Sequence, residues 1–283
     1  MRTSLKNHYL CDKMSEMPIS DWIENREMTG LPTFSYKEVC ASFPTLSAKV
    51  VSNELYRLGK LKRIQSVHKG FYTIVPIQFK DRGIVPPYNY IGQLMLYLGR
   101  PYYISLLSAG VLHGAAHQRP QRTSIMTEPP RITFSRNSND QLFWGYRTAI
   151  PQDLLCRTNS DTGIILYSNA ELTAVDLVQY SHLIGGLSSA ATVIEELLEK
   201  TDFNKNGEEL LKYTTFPTLQ RLGYIMDNIL ENQEQAESIE RLLWPYFKNL
   251  KYRPLAAGKP TDGMKRQSKW KIIINQDIEP DEW

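Results

Sequence analysis

Residues 35–75 constrain the fold of this chain more than any other stretch, because two helical patterns are followed there by two strand patterns. Ser35 and Glu38 have the spacing of a capping box, in which each side chain bonds a free backbone N–H at a helix start. Pro44 is expected to end this helix, and a second helix is predicted from about Ser47 to Leu58. The buried stripe predicted for the second helix follows helical spacing and consists of Ala48, Val51, Leu55 and Leu58.

A β-hairpin is predicted directly after the second helix. Gly59 is expected to let the chain leave the helix, and the runs 64–67 and 71–75 flank the turn His68-Lys69-Gly70. An earlier pattern, residues 18–26, predicts a helix that packs behind the other two. Three helices followed by a hairpin is the order of a winged helix-turn-helix, and this fold is predicted for residues 1–80.

The face of the second helix opposite the apolar stripe is rich in cations. From Ser47 to Lys80 the chain has seven lysines or arginines and one acidic residue, Glu54. Such a surface can hold phosphates, and an asparagine amide can pair with the edge of an adenine. A merely solvated charged face is the alternative interpretation. The residues predicted to contact duplex DNA are Lys49, Asn53, Tyr56, Arg57 and Lys60 on the helix and Lys62, Arg63 and Lys69 in the hairpin, where acidic neighbours are not expected.

The distribution of charge carries this argument, because the formal net charge of the whole chain is only +3. Residues 1–80 carry +5, residues 81–170 carry +3 and residues 171–240 carry −9, with acidic side chains expected on exposed helix faces. Residues 241–271 carry +8 and the last twelve carry −4. The basic segment 241–271 is interpreted either as a second phosphate-binding surface or as a solvated loop.

A domain boundary is predicted at residues 76–87, where Pro86-Pro87 and their neighbours break all periodicity. The overall class is therefore α+β: a winged helix-turn-helix, then a larger mixed domain, residues 81–283, with a small sheet and a helical C-terminal half. Strands are predicted at residues 123–127, 131–135, 141–146, 163–167 and 270–275. Helices are predicted at residues 89–98, from 102 or 105 to 113, and at 169–186, 189–200, 207–213, 218–230 and 236–243.

No catalytic residue, metal site or cofactor is predicted. His113 and His117 have the i, i+4 spacing of helical metal ligands, but Gly114 intervenes and no third ligand is evident. Ser105 and Ser108 lack the context of a nucleophile elbow. The chain is therefore not expected to be an enzyme.

The cysteine content and the hydropathy indicate a cytoplasmic protein. Cys11, Cys40 and Cys156 are too few and too far apart for a disulfide framework. No apolar run approaches the roughly 18 residues of a membrane span, and Met1 to Leu10 lacks the hydrophobic core of a signal peptide.

Several stretches of the second domain together resemble the AbiEi family of antitoxins. Tyr102-Tyr103-Ile104-Ser105, with Leu107-Ser108-Ala109 and His113-Gly114 behind it, resembles the opening signature of that family. Residues 168–176 are similar to its S-x-x-E-x-T-x-x-D helix start, Gln220 to Tyr224 to its R-L-G-Y helix, and Trp270 to Asn275 to its closing strand. The chain departs from the family at Gly110, and between Arg119 and Asp161 nothing is carried across.

The resemblance implies an antitoxin of an AbiE-type, type IV toxin–antitoxin system, the kind that takes part in phage defence. Such a protein is a winged-helix repressor of its own operon, joined to a domain that counteracts a nucleotidyltransferase-like toxin. The implied partners are operator DNA with an inverted repeat and the toxin, the latter without need of a stable complex. The alternative is a stand-alone winged-helix regulator whose second domain senses a small molecule or a partner.

Overall fold

The computed structural model of the chain describes residues 17–115, 120–133 and 141–280. The chain divides into two compact units. The first comprises the described residues of Met1–Pro101, Pro129–Leu142 and Thr158–Ile165, and the second those of Tyr102–Glu128, Phe143–Arg157 and Leu166–Trp283. The predicted boundary between residues 80 and 81 falls inside the first unit, and independent folding of the two parts stays a prediction.

The first unit begins with the order of elements expected of a winged helix-turn-helix. Its three-stranded sheet is antiparallel, with the strand order β1-β3-β2. The edge strand β1, which has three buried residues, was not predicted. The elements are α1 (Ile19–Met28), β1 (Thr33–Ser35), α2 (Tyr36–Ser42), α3 (Ala48–Lys60), β2 (Ile64–His68), β3 (Phe71–Ile74) and α4 (Ile91–Leu98).

Local sequence signals account for the helix starts in this unit. The predicted capping box is confirmed, since the Ser35 hydroxyl accepts a hydrogen bond from the Glu38 N–H and the Glu38 carboxylate accepts one from the Ser35 N–H. The Ser47 hydroxyl caps α3 by accepting from the Val50 N–H. Trp22 packs edge-on against Phe34 and Phe43 in the core between the helices and the sheet.

The end of α3 differs from the prediction. Gly59 lies within the helix, and the left-handed residue is Lys62, with φ of 53°. The Lys62 N–H donates to the Gly59 carbonyl and the Arg63 N–H to the Leu58 carbonyl, which is the bonding pattern of a Schellman cap. The predicted buried stripe is also shorter, because Ala48 is exposed.

The chain after residue 101 forms a small mixed sheet and a helical C-terminal half, as predicted. In the five-stranded sheet the order is β6-β5-β4-β8-β7; β4 pairs antiparallel with β5 and parallel with β8, and a smaller sheet has the order β10-β11-β9. The strands are β4 (Tyr102–Ile104), β5 (Thr123–Thr127), β6 (Leu142–Tyr146), β7 (Leu155–Ser160), β8 (Gly163–Ser168), β9 (Arg253–Pro254), β10 (Lys265–Gln267) and β11 (Ile272–Ile274). The helices are α5 (Leu106–His113), α6 (Ala170–Gln179), α7 (Leu187–Leu197), α8 (Phe203–Leu211), α9 (Phe216–Asn228) and α10 (Gln233–Leu243).

Several predicted bounds after residue 101 are wrong. Of the two predicted helix starts, Ser105 is confirmed as the N-cap of α5, whereas residues 102–104 form β4; β7 was missed. Residues 131–133 form no strand, while 134 and 135 of the same predicted strand lie outside the described residues. The helix expected to reach residue 186 ends at Gln179 and is followed by a short 3₁₀ turn.

Helix α6 is the centre of the second core, because every residue from Ala170 to Val178 is buried. The sequence pattern had indicated that acidic residues of this segment lie on exposed helix faces. This is wrong for Glu171 and Asp176, which are both buried. Among the described residues, no helix has both the length and the apolar character needed to cross a membrane.

Candidate nucleic-acid interface and buried polar cluster

One face of α3 is open to solvent and carries four of the predicted contact residues. Lys49, Asn53, Tyr56 and Lys60 are all exposed, Tyr56 to 68%. Their spacing of three or four residues places them along one side of the helix. The Lys60 ammonium lies 5.3 Å from the centre of the Tyr56 ring, and within the described part of the chain the Lys49 and Asn53 side chains make no hydrogen bond. This face is therefore ready to accept an external partner.

Arg57 on the same helix is engaged by a neighbour. Its Nε and Nη2 donate to the two carboxylate oxygens of Glu54 at 2.8 and 2.6 Å. The hydrogen bond from Arg57 is the main cause that lowers the pKa of Glu54. The guanidinium fork is thus already satisfied, and a phosphate can claim it only by displacing Glu54.

The cations of the hairpin are arranged differently from the prediction. The expected absence of acidic neighbours is wrong for Arg63, whose Nη2 lies 2.5 Å from Oε1 of Glu24 on α1. Glu24 lies 39 residues earlier, so a local reading of charge could not find it. Lys62 donates to the Asp81 carbonyl oxygen at 2.5 Å, and Lys69 is exposed at the turn between β2 and β3.

A buried polar cluster in the second unit joins two stretches of the AbiEi resemblance. The Tyr103 hydroxyl on β4 donates to Oδ2 of Asp176 on α6 at 2.7 Å. Arg147, which follows β6, donates through Nη1 to the Tyr103 oxygen at 2.5 Å and lies 3.3 Å from Oδ1 of Asp176. Its Nη2 donates to the Tyr213 carbonyl at 2.6 Å. The side chains of Arg147 and Asp176 are 7% and 0% exposed, so water does not compete for these bonds.

The electrostatics of the cluster follow from its burial. Burial raises the pKa of Asp176 to about 6, while the nearby Arg147 and the hydrogen bond from Tyr103 act in the opposite direction. Burial also raises the pKa of the Tyr103 phenol, and the negative charge of Asp176 raises it further. A cluster closed to solvent offers no access to a substrate. It can hold β4, α6 and the segment after β6 together, and sequence reasoning missed Arg147 because nothing was carried across residues 119–161.

The other residues of the S-x-x-E-x-T-x-x-D stretch also make internal bonds. The Asn169 side chain caps α6 by accepting from the Leu172 N–H, and the Ser168 and Thr173 hydroxyls lie 2.6 Å apart. Oε1 of Glu171 accepts from the Asp202 N–H at 2.6 Å, which ties α6 to the start of α8. These contacts explain the residue types of the stretch as parts of a helix junction.

His113 belongs to the same junction. Its Nε2 lies 2.8 Å from the Ser168 carbonyl oxygen, and burial lowers the pKa of its imidazole. His117, the other member of the pair considered as metal ligands, lies outside the described residues. Within the described ranges, no group of three or more His, Cys, Asp or Glu side chains is placed to hold a metal ion.

The R-L-G-Y stretch packs α9 against Trp270. A Cβ on Gly223 would lie 2.1 Å from Cζ3 of Trp270, so only glycine admits the indole here. The Gln220 amide donates to the Trp270 carbonyl at 2.9 Å, and the Trp270 indole N–H donates to Asp227 at 2.8 Å. Two stretches of the resemblance, 47 residues apart at Gly223 and Trp270, thus meet in one contact.

Comparison with known proteins supports the resemblance to AbiEi antitoxins. Residues 103–228 match the family model described as the AbiEi antitoxin C-terminal domain. Among solved structures, the crystal structure of the RV2827C protein from Mycobacterium tuberculosis is similar, with a TM-score of 0.66, 13% sequence identity and coverage of 92% of each chain. At this identity the likeness concerns the fold alone. No curated protein matches the chain.

The matched segment begins at Tyr103 and contains both Asp176 and the R-L-G-Y stretch, so it includes the buried cluster and the glycine that receives Trp270. Residues 103–228 therefore resemble the C-terminal domain of the AbiEi antitoxins.

Proposed function

We propose that this protein is an antitoxin that represses its own operon by binding duplex DNA through α3 and the β2–β3 hairpin, and that it counteracts a nucleotidyltransferase-like toxin. The observation that carries the DNA-binding part is the exposed face of α3, where the Lys49 and Asn53 side chains make no hydrogen bond among the described residues and Lys60 contacts only the exposed Tyr56 ring. This face belongs to the second helix of a helix-turn-helix, the one that enters the major groove in proteins of that architecture. At about 1.5 Å per residue, its 13 residues span roughly 20 Å.

The contact residues divide by chemistry. Lys49 and Lys60 neutralise backbone phosphates, whereas the Asn53 amide can donate to and accept from the edge of an adenine. Lys62 and Lys69 reach phosphates from the hairpin, Lys62 by exchanging its bond to the Asp81 carbonyl. Arg57 and Arg63 contribute after exchanging their carboxylate partners, Glu54 and Glu24, for phosphate.

Gel-shift titration with the DNA upstream of the operon tests this assignment. The double variant Lys49→Ala, Lys60→Ala should bind all duplexes more weakly and lower the log-log salt slope by about two units, since each phosphate contact contributes about one. Asn53→Ala should mainly reduce the difference in binding free energy between operator and unrelated DNA, by ~1 to 3 kcal/mol. Lys205→Ala, a change of the same charge at an exposed position on α8, is the control and should leave affinity unchanged. Wild-type affinity in the double variant contradicts the assignment.

The antitoxin part is supported by the AbiEi domain match and requires a toxin encoded beside this protein. Coexpression of the toxin with full-length variants separates the two activities. The variant Lys49→Ala, Lys60→Ala should lose repression of a reporter yet still restore growth. Loss of rescue in a folded, normally expressed variant would mean that neutralisation depends on DNA binding.

A further inference from the structure

A cavity of about 310 Å³ in the second unit is distinct from both the α3 face and the buried cluster. It lies between the end of α6, the start of α7 and the segment that follows β9. Its volume is at the lower end of the range for small-molecule sites, roughly 300–1,000 Å³. Among the described residues that line it, three can carry positive charge and none is acidic.

Arg221 on α9 is the central cation of this cavity. Its Nε donates to the Pro254 carbonyl at 3.0 Å, which fixes the plane of the guanidinium. No carboxylate of the described chain lies within ion-pair distance of it, and the side chain is only partly exposed. Burial and the nearby Arg253 lower the pKa of Arg221. A half-buried arginine without an acidic partner is unusual, because charged groups out of water are normally paired.

Arg221 is the charged residue of the stretch Gln220-Arg221-Leu222-Gly223-Tyr224, and the described part of the fold supplies no partner for its charge. Gln220 bonds backbone carbonyls, while Leu222 and Gly223 are packed in the core. The Nη atoms of Arg221 make no hydrogen bond within the described residues. Packing alone therefore explains its neighbours but not its guanidinium.

The rest of the lining supplies further groups that suit an anion. Lys259 and His182 are exposed at the cavity, and Gln179, Gln276 and Ser181 offer neutral donors. The first residue of α7 also lines it, and the partial positive charge at that helix end adds modestly to the field of the side chains.

We propose that this cavity binds a phosphate-bearing small molecule, with the Arg221 guanidinium holding the phosphate in a bidentate fashion and Lys259 closing the ion pair from the rim. The planar fork of arginine matches two phosphate oxygens, and two cations match the double negative charge of a phosphate monoester. The recess favours a free ligand over the nucleic-acid backbone, which would need its cations on an open face. This site is independent of the DNA-binding and antitoxin roles proposed above.

Isothermal titration of the full-length protein with inorganic phosphate and with pyrophosphate, at matched ionic strength in sodium chloride, tests the proposal. Saturable binding is expected for both. Arg221→Gln should weaken it roughly tenfold or more, the effect of losing a charge-assisted hydrogen-bond pair. Arg221→Lys should lie between the two because it keeps the charge and loses the fork. Lys259→Gln should weaken binding severalfold, and because Lys259 is exposed this variant decides the matter if Arg221→Gln does not fold.

Two controls make the same charge change away from the cavity: Arg82→Gln and Lys248→Gln, both at exposed positions. They should bind pyrophosphate like the wild type. A parallel titration with a non-specific DNA duplex distinguishes the source of the phosphate. The proposal is overturned by an absence of saturable binding, by equal losses in the controls, or by cavity variants that affect only the duplex.

Discussion

The phenol oxygen of Tyr103 lies 2.7 Å from Oδ2 of Asp176, and this hydrogen bond joins β4 to α6 across 73 residues of sequence. Arg147 completes the arrangement with bonds to both partners and to the Tyr213 carbonyl. The second unit therefore has an ion pair bridged by a tyrosine in its core, and its stability should depend on each member in a different way.

Removal of Arg147 should be the most damaging change in this cluster. Arg147→Met leaves the Asp176 carboxylate buried without its cation, which typically costs about 3 to 5 kcal/mol. Tyr103→Phe removes one hydrogen bond to the carboxylate and should cost about 1 to 3 kcal/mol. Urea unfolding measures both, with Arg157→Met on the exposed side of β7 expected to stay within about 0.5 kcal/mol of wild type. Similar values for Arg147→Met and Arg157→Met would show that the cluster does not stabilise the domain.

The pH dependence of stability should carry the signature of Asp176. Since burial raises its pKa from 3.8 to about 6, the folded state binds a proton more tightly than the unfolded chain does. The unfolding free energy from this group is therefore highest below about pH 4 and falls as the pH rises through 6, by at most about 3 kcal/mol.

Comparison with Asp176→Asn isolates this contribution. The unfolding free energy of the wild type minus that of the variant should decrease from pH 4.5 to pH 7.5, because only the wild type loses stability as Asp176 ionises. Burial lowers the pKa of His113, whose contribution rises with pH, but this cancels because both proteins keep the histidine. A difference that stays constant with pH is the result that rules out a raised pKa.

Glu54 should lower the affinity of the α3 face for DNA. It occupies the Arg57 fork, so Glu54→Gln should release a cation to the α3 face, raise affinity for any duplex and steepen the salt slope by about one unit. Glu209→Gln, which frees Lys212 from its carboxylate partner in the second unit, is a matched control with no expected effect. Weaker binding in Glu54→Gln would place Glu54 among the groups that support the interface.

Two helical glycines should respond oppositely to alanine. At Gly223 a methyl group would collide with the Trp270 ring, so Gly223→Ala should cost about 1 to 3 kcal/mol or more. At Gly59 on α3 nothing lies within 4 Å of the added carbon, and Gly59→Ala should stabilise by roughly 0.5 to 1 kcal/mol. Thermal unfolding of the two variants compares them directly, and a destabilised Gly59→Ala would contradict this reading of α3.

The sequence predicted what depends on neighbours along the chain. The capping box of Ser35 and Glu38 and the helix start near Ser47 each depend on residues within one turn, so spacing alone identifies them. The same holds for the hairpin around Gly70, where the turn residues are contiguous.

What the sequence could not predict depends on partners that are distant along the chain. Acidic side chains of residues 171–240 were expected on exposed helix faces, yet Asp176 is buried because Arg147 and Tyr103 supply its bonds. Arg63 was expected to be available for phosphate, but Glu24 on α1 pairs with it. Tyr102–Ile104 has a composition that suits a strand or a buried helix, and only its pairing with β5 decides between them.

The contact between Gly223 and Trp270 also makes the core depend on residues beyond the segment that matches the antitoxin domain. That segment ends at residue 228, but the indole that packs against Gly223 comes 42 residues later, at Trp270. A chain truncated between residues 228 and 270 would therefore contain the whole matched segment and still have an open core, because the slot beside Gly223 on α9 would stay unfilled.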